Sequence, residues 1–400
     1  MTPEKLRIAF ATPEYVTENY FDGGLANYIN RISKILVGLG HDVHVVTLSL
    51  KDEDEFEHEG VMVHRVMLPL WHVLHRVTRY SLTTTLHWLN FSTQVYRKLK
   101  QLHRQNPFHL IQYPNYSFSG LFSIPLLRAA HVVRASTYQP AWNDAAGFER
   151  NLDSVAAERL EALQYKLTRN VFAPSSAVQK MLTNKTSVRE ARVIRNPFYV
   201  ETREWDPTVY EQFLDGKKYA LYFGRFQLHK GFHTLAQALP RFLHQCPDAD
   251  VALVGRDTET SLASSMAGFA RAQCGSSVTR LILLENLPHS QLYPVIAGAH
   301  LVVLPSLIDN SPNTCLEAMG LGKVVIGTNG TSFEELIIDG VNGFLVSPDN
   351  PAALAEKMIS AWTDPELATM SAAAKHRVLD FAPEKTVTSL LSYYSEVLGG

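Results

Sequence analysis

The feature that most constrains the fold is an alternation that runs twice. In the first half, the apolar runs "RIAFAT", "VHVVTL", "HLIQY", "HVVRA", "VFAPS" and "RVIR" read as short strands separated by helical periods. Between the first two, Leu25, Ile29, Ile32, Leu36 and Leu39 recur at helical spacing and Gly40 follows as a stop. "LHWLNFSTQVYRKLKQL" is a second amphipathic helix. The pattern then restarts with "YALYFG", "DVALVG", "RLILLE", "HLVVLP", "KVVIG" and "GFLVS". Strands alternating with helices build parallel sheets covered by helices, so an α/β chain with two Rossmann-like doubly wound domains is expected. Each opens with a strand, a glycine-containing loop and a helix: "FDGGLANYI" in the first, "GRFQLHKGFHTL" in the second. Such sheets bind ligands at the carboxyl ends of their strands, and two facing domains imply a cleft. The expected domains are residues 1–198 and 199–384, with "NPF" at 196–198 opening the linker.

A length of 400 residues fits two domains of about 200 each. Three widely spaced cysteines, Cys246, Cys274 and Cys315, make neither a disulfide framework nor a zinc ribbon, and a reducing, cytoplasmic setting is expected. The chain enters directly into "LRIAFAT", so no signal peptide is expected, and no apolar run is long enough to span a bilayer. The net charge of −2 is unevenly spread. No acid lies between Glu59 and Asp144, a stretch holding Arg65, Arg76, Arg79, Arg97, Lys98, Lys100, Arg104, Arg128 and Arg134. Such a patch favours an anionic acceptor or peripheral contact with the inner face of a membrane; the simpler reading brings in compensating acids through the fold. No nucleic-acid motif accompanies it.

Two stretches carry chemistry. In "FGRFQLHKGF", Arg225 follows the strand-ending glycine and Lys230-Gly231 begins the next helix. Two cations beside a helix N-terminus suit a diphosphate, whereas the Walker A spacing is absent. In "DNSPNTCLEAMGLG", Ser311 is expected as the N-cap with Pro312 at the first helical position. The free amides of Asn313, Thr314 and Cys315 then form a second anion-binding mouth. Asp309 precedes that helix and Glu317 lies inside it, so the two do not form a matched acid/base dyad on one face. Glu317 is placed to accept hydrogen bonds from vicinal hydroxyls such as those of a ribose.

These residues resemble glycosyltransferase family 4. The resemblance rests on "FGRFQLHKG", "LENLPHSQLYPVIAGAHLVVLPS", the Asp-x7-Glu stretch with "LEAMGLGKVVIGTNGTSFEELIIDGVNGFLVSPD", and "FAPEKTVTSLLSYYSEVL". "DGGLANYINRISKILVGLGHDVHVVT", "APSSAV" and "VIRNPF" extend it to the first half. It implies a GT-B fold and a retaining transferase that uses a nucleotide-diphosphate sugar, with UDP-hexose expected, and needs no metal. By the same resemblance Arg225 and Lys230 bind the diphosphate and Glu317 the ribose. Asp309 stands at the donor sugar, where the family usually has Glu. Ser311, Asn313 and Thr314 meet the sugar hydroxyls and phosphate; Gly255, Asn286 and Leu287 lie by the base. Gly23 and Gly24 approach from the first domain, and a C-terminal helix near 385–400 returns to it. Two departures matter: Asn310-Ser311-Pro312 replaces Gly-Phe-Gly, and Ser136 stands where a His that contacts the donor sugar is usual.

The acceptor, a saccharide or lipid-linked saccharide, is assigned to Tyr113, Asn115, Arg134, Ser136 and Tyr138. The Leu/Tyr stripes "AERLEAL" and "LQYKL" read as core faces. Three rivals remain. Asp52–Asp54 offers the Asp-x-Asp of a metal-dependent GT-A transferase, although "KDEDEFEHE" reads more simply as a solvated acidic loop. A glycosidase would need the dyad argued against above. The third is a non-catalytic nucleotide-sugar-binding partner of another transferase.

Overall fold

The computed structural model describes residues 5–18, 24–69, 81–200 and 204–399. It divides into two compact units. The first comprises Met1–Pro140, Glu149–Pro197 and Pro383–Gly400; the second comprises Ala141–Phe148 and Phe198–Ala382. Ala141–Phe148, which the sequence places inside the first domain, thus groups with the second.

The first unit is built on strands β1 (Arg7–Thr12), β2 (Asp42–Leu48), β3 (Glu55–His58), β4 (Val61–Val66), β5 (Leu110–Pro114), β6 (Ala130–Arg134), β7 (Val171–Ala173) and β8 (Arg192–Val193). Their order is β3-β4-β2-β1-β5-β6-β7-β8, parallel except for the β3/β4 hairpin. Alternate residues of β1 serve opposite faces: Ala9 and Ala11 join one core, Ile8 and Phe10 the other. A strand covered on both sides shows no polar face, which is why these runs read as continuously apolar. Helices α1 (Gly24–Gly38), α2 (Thr83–Gln105) and α3 (Leu152–Leu167) flank the sheet. In α1, Leu25, Ile29, Ile32 and Leu36 are buried, whereas Leu39 falls beyond the helix and is exposed. The C-terminal helix Pro383–Gly399 buries Val387, Leu390 and Tyr394, and the Tyr394 hydroxyl donates to Gln112 Oε1 at 2.6 Å.

The acidic run is only half a loop. Asp52–Asp54 are exposed coil, but Glu55–His58 form the edge strand β3, paired with β4 across the turn at Glu59-Gly60. The sequence hides this strand because its inner face carries one apolar residue, Phe56, half-buried against the core, among charged neighbours. Arg65 pairs with Glu18 at 2.7 Å and Asp54 at 3.3 Å, and Lys98 with Glu55 at 3.2 Å, so acids from upstream compensate these cations. Arg76 and Arg79 lie outside the described residues, of which no helix is long and apolar enough to cross a membrane.

The second unit carries β9 (Tyr219–Phe223), β10 (Asp250–Val254), β11 (Leu281–Leu284), β12 (Leu301–Val303), β13 (Val325–Thr328) and β14 (Phe344–Val346). All are parallel, in the order β11-β10-β9-β12-β13-β14. The chain winds one way from β9 to β11 and then restarts on the other side with β12. Outside the carboxyl ends of β9 and β12 lies the switch point, where an open α/β sheet leaves a crevice.

Candidate functional site

The loops that leave β9 and β12 meet. After β9 a short turn, Leu228–Lys230, ends at Gly231 with φ 66°. A Cβ there would overlap the Pro305 carbonyl oxygen at the exit of β12, so only glycine permits this approach. The His229 carbonyl accepts from the Leu307 amide at 2.9 Å and the Ile308 amide at 3.4 Å. This crossing brings Lys230 Nζ to 2.7 Å from Asp309 Oδ2. Asp309 is 8% exposed; its Oδ1 accepts from the Ser311 amide at 3.3 Å, and its carbonyl from the Ser332 amide at 3.3 Å. Arg225 is exposed on the same loop as Lys230.

The helix after β12 is α5 (Asn313–Gly320), preceded in chain order by α4 (His289–Gly298). Its cap differs from expectation. Pro312, not Ser311, occupies the N-cap, and no side-chain oxygen caps the helix. The Pro312 carbonyl accepts from the Cys315 and Leu316 amides at 3.0 and 3.1 Å. Proline's ψ of 87° places it just outside the helix, and Ser311 turns instead toward Asp309. The amides of Asn313 and Thr314 therefore have no partner among the described residues, while that of Cys315 is satisfied by Pro312. Glu317 lies one turn inside α5, 7% exposed, with His289 Nε2 of α4 at 3.4 Å from its Oε1.

Gly255 leaves β10 with φ 149°, and a Cβ there would overlap the Gly224 carbonyl. Asn286 is exposed after β11 and Leu287 is half-buried against the core. Arg225, Lys230, Gly255, Asn286, Leu287, Asp309, Ser311, Asn313 and Thr314 thus all occupy loops or a helix start at the carboxyl edge of one sheet. Gly24 opens α1 in the first unit, and Gly23 lies outside the described residues.

Sequence reasoning did not select His229, His289 or Trp142. His229 is 8% exposed, and burial, with Lys230 beside it, pushes its imidazole down to about 4. It is neutral and anchors the loop crossing. Trp142, from the segment that groups with this unit, packs on it with ring centroids 5.1 Å apart. The only local signal was the pair "LHK" and "LPH" flanking the selected residues.

The first-unit candidates divide. Tyr113 is fully buried and its hydroxyl lies 3.2 Å from His131 Nδ1, so it belongs to the core beneath the sheet and not to an acceptor. Asn115 is also fully buried, and its amide group is spent internally. Its Oδ1 accepts from the Ser136 amide at 2.6 Å, and its Nδ2 donates to the Thr137 carbonyl at 2.8 Å and Glu161 Oε1 at 2.7 Å. Arg134 is 4% exposed and donates to Ser136 Oγ at 2.5 Å and Asn196 Oδ1 at 2.9 Å. Tyr138 is half-buried and lines a cavity of about 310 Å³ with Arg150, Glu158, Arg159 and Glu161. The core face of α3 is also not the leucine stripe. Leu163 and Leu167 are exposed, while Glu161, Gln164 and Tyr165 are buried. Gln164 ties the Gly120 amide and the Pro114 and Asn115 carbonyls, satisfying the exit of β5 where no strand partner reaches. Asp52 and Asp54 form no metal-ligand group, and none occurs among the described residues.

Two family models match the chain. One, described as Glycosyltransferase Family 4, covers residues 22–202; the other, described as Glycosyl transferases group 1, covers residues 217–364. A glycogen synthase of Mycobacterium tuberculosis is 24% identical over 394 residues, covering 93% of this chain and 91% of its own. Among solved structures, sucrose-phosphate synthase from Thermosynechococcus elongatus superposes with a TM-score of 0.77 at 19% identity, covering 98% of this chain and 100% of that one. HepE of Anabaena, solved in complex with UDP and glucose, gives 0.70 at 18% identity and 98% coverage of both chains.

Proposed function

The chain belongs to glycosyltransferase family 4, a glycosyltransferase of GT-B fold, and from that premise we propose that it moves a hexose, with retention, from UDP-hexose to a saccharide or lipid-linked saccharide. The observation that carries the reading is the meeting of Lys230 with Asp309 beside the open amides of α5, at the switch point of the second sheet. HepE, a protein of the same fold, binds UDP and glucose, which supports the donor class.

In this reading the diphosphate lies against Arg225, Lys230 and the Asn313 and Thr314 amides. As the bond to the anomeric carbon breaks, negative charge grows on the leaving phosphate, and these fixed donors stabilise it without having to reorganise. Glu317 accepts from the ribose hydroxyls, and the base rests near Gly255, Asn286 and Leu287. Before donor binding Lys230 is neutralised by Asp309; a phosphate that takes over Lys230 releases Asp309 to the sugar hydroxyls. For retention, the acceptor hydroxyl attacks from the leaving-group face and the departing phosphate oxygen takes its proton. No protein base and no metal are then required. The acceptor is assigned to the first unit. Exposed Arg97 and Arg104 on α2 offer a surface for an anionic or membrane-borne one.

A thermal-shift panel of UDP-, GDP- and ADP-sugars, followed by NMR of the product anomer, tests this reading. The expected result is stabilisation by a UDP-hexose and a product of unchanged anomeric configuration. No shift with any nucleotide sugar would sink the proposal, and UDP binding without turnover on a broad acceptor panel would favour the non-catalytic partner.

A further inference from the structure

Arg134 is a charged group buried in the first unit with no neutralising partner among the described residues. It ends β6 at 4% exposure, and no carboxylate pairs with it among the described residues. Its contacts are Ser136 Oγ, Asn196 Oδ1 and the face of Tyr28, whose ring centre lies 4.2 Å from the guanidinium carbon. None of these carries a negative charge. Its Nε is buried with no partner among the described residues, and so is the hydroxyl of Thr137, the residue after Ser136 in the same loop. Other cations of this unit behave differently: Arg65 and Lys98 each reach a carboxylate. A buried cation without a counter-charge is strongly unfavourable, so a fold that keeps one points to an anion supplied from outside.

The surroundings are built like a site. Asn115 holds the β6 exit by its bonds to the Ser136 amide and the Thr137 carbonyl. The adjoining loop after β5 carries two non-glycine residues of positive φ, Ser117 at 65° and Phe118 at 34°, and the Ser117 hydroxyl is another buried group without a partner. Backbone strain of this kind persists where the surrounding structure enforces it, and it clusters at ligand sites. We propose that Arg134, with the hydroxyls of Ser136 and Thr137, binds a phosphoryl group carried by the acceptor. This rests on the reading that the first unit holds the acceptor. Three guanidinium N–H groups beyond the two in use, together with two hydroxyls, exceed what the two oxygens of a carboxylate accept and suit a phosphoryl group.

Inorganic phosphate titrated by calorimetry into the full chain, with the donor site saturated by UDP, tests the proposal, using wild type, Arg134→Met and Arg134→Lys. The expected result is one phosphate site beside bound UDP, which Arg134→Met weakens by at least about tenfold. Unchanged phosphate affinity in Arg134→Met, or no phosphate site beside bound UDP, overturns it. Should Arg134→Met fail to fold, Arg134→Lys keeps the charge without the planar fork and must still weaken phosphate by about tenfold. A purely structural arginine would shift KM for phosphorylated and free acceptors alike. Here, Arg134→Lys raises KM for a hexose phosphate acceptor and leaves KM for the free hexose unchanged. UDP is titrated separately into wild type: failure there sinks the donor reading, whereas failure of phosphate alone sinks only this inference.

Discussion

Replacing Glu161 by Gln should make the protein's stability rise relative to wild type as the pH is raised. Glu161 sits on α3 at 7% exposure, and its Oε1 accepts from Asn115 Nδ2 at 2.7 Å and the Tyr165 hydroxyl at 3.4 Å. No cation pairs with it among the described residues, so burial dominates and pushes its carboxyl up to about 7, against an ordinary 4.5. The folded chain therefore holds a proton that the unfolded chain releases. The stability this contributes is complete below pH 4.5 and is lost as the pH rises through 7. The span of about 2.5 pKa units is worth about 3.5 kcal/mol in full, of which about 1 is already lost at pH 5. Glutamine keeps the acceptor for Asn115 and has no proton to lose. Glu161→Gln should thus gain on wild type by about 2.5 kcal/mol between pH 5 and pH 8. Urea unfolding at the two pH values measures it, with hydrogen exchange at Val132 and Val133 of β6 reporting the first unit locally. A protonated-carboxyl infrared band that is present in wild type at pH 5 and missing in the variant assigns the titration. A variant-to-wild-type difference that does not change with pH would refute the argument.

Four further outcomes follow from the same structure. Lys230→Met should weaken UDP by about 10- to 100-fold in calorimetry, the worth of one charged hydrogen bond to phosphate. Asp309→Asn frees Lys230 and so should bind UDP at least as tightly as wild type while turnover falls; a parallel loss of both would contradict separate tasks for the two side chains. Gly231→Ala forces a Cβ into the Pro305 carbonyl, and should cost about 3 kcal/mol or more in thermal or urea unfolding, with UDP binding lost. His44 is buried beside Asp42, Arg7 and His64, and burial pushes it down to about 4. The unfolded chain therefore takes up that proton first, stability drains as the pH falls from 6.5 toward 4, and His44→Gln should flatten that limb of a Tm-against-pH curve.

The sequence by itself determined the architecture of the second unit. All six of its strands were legible because a parallel strand covered on both faces must be apolar throughout, and that signal is local. The glycine-containing loop "FGRFQLHKG" and the Asp-x7-Glu stretch could be placed at strand ends for the same reason. The edge strand β3 was not legible, since its inner face carries a single apolar residue, Phe56, too little alternation to read in an acidic run. The leucines of α3 do not mark its buried face because Glu161 and Gln164 are drawn inward by the Asn115 side chain, the Gly120 amide and the Pro114 carbonyl at the exit of β5, partners 44 to 50 positions away. Only tertiary structure decided that Lys230 meets Asp309 across 79 positions, that Tyr113 points into the core, and that Arg134 has no counter-charge among the described residues. Periodicity encodes which face of an element is buried; the pairing of charges and polar groups depends on which loops the sheet order brings together, and that is fixed by packing between distant segments.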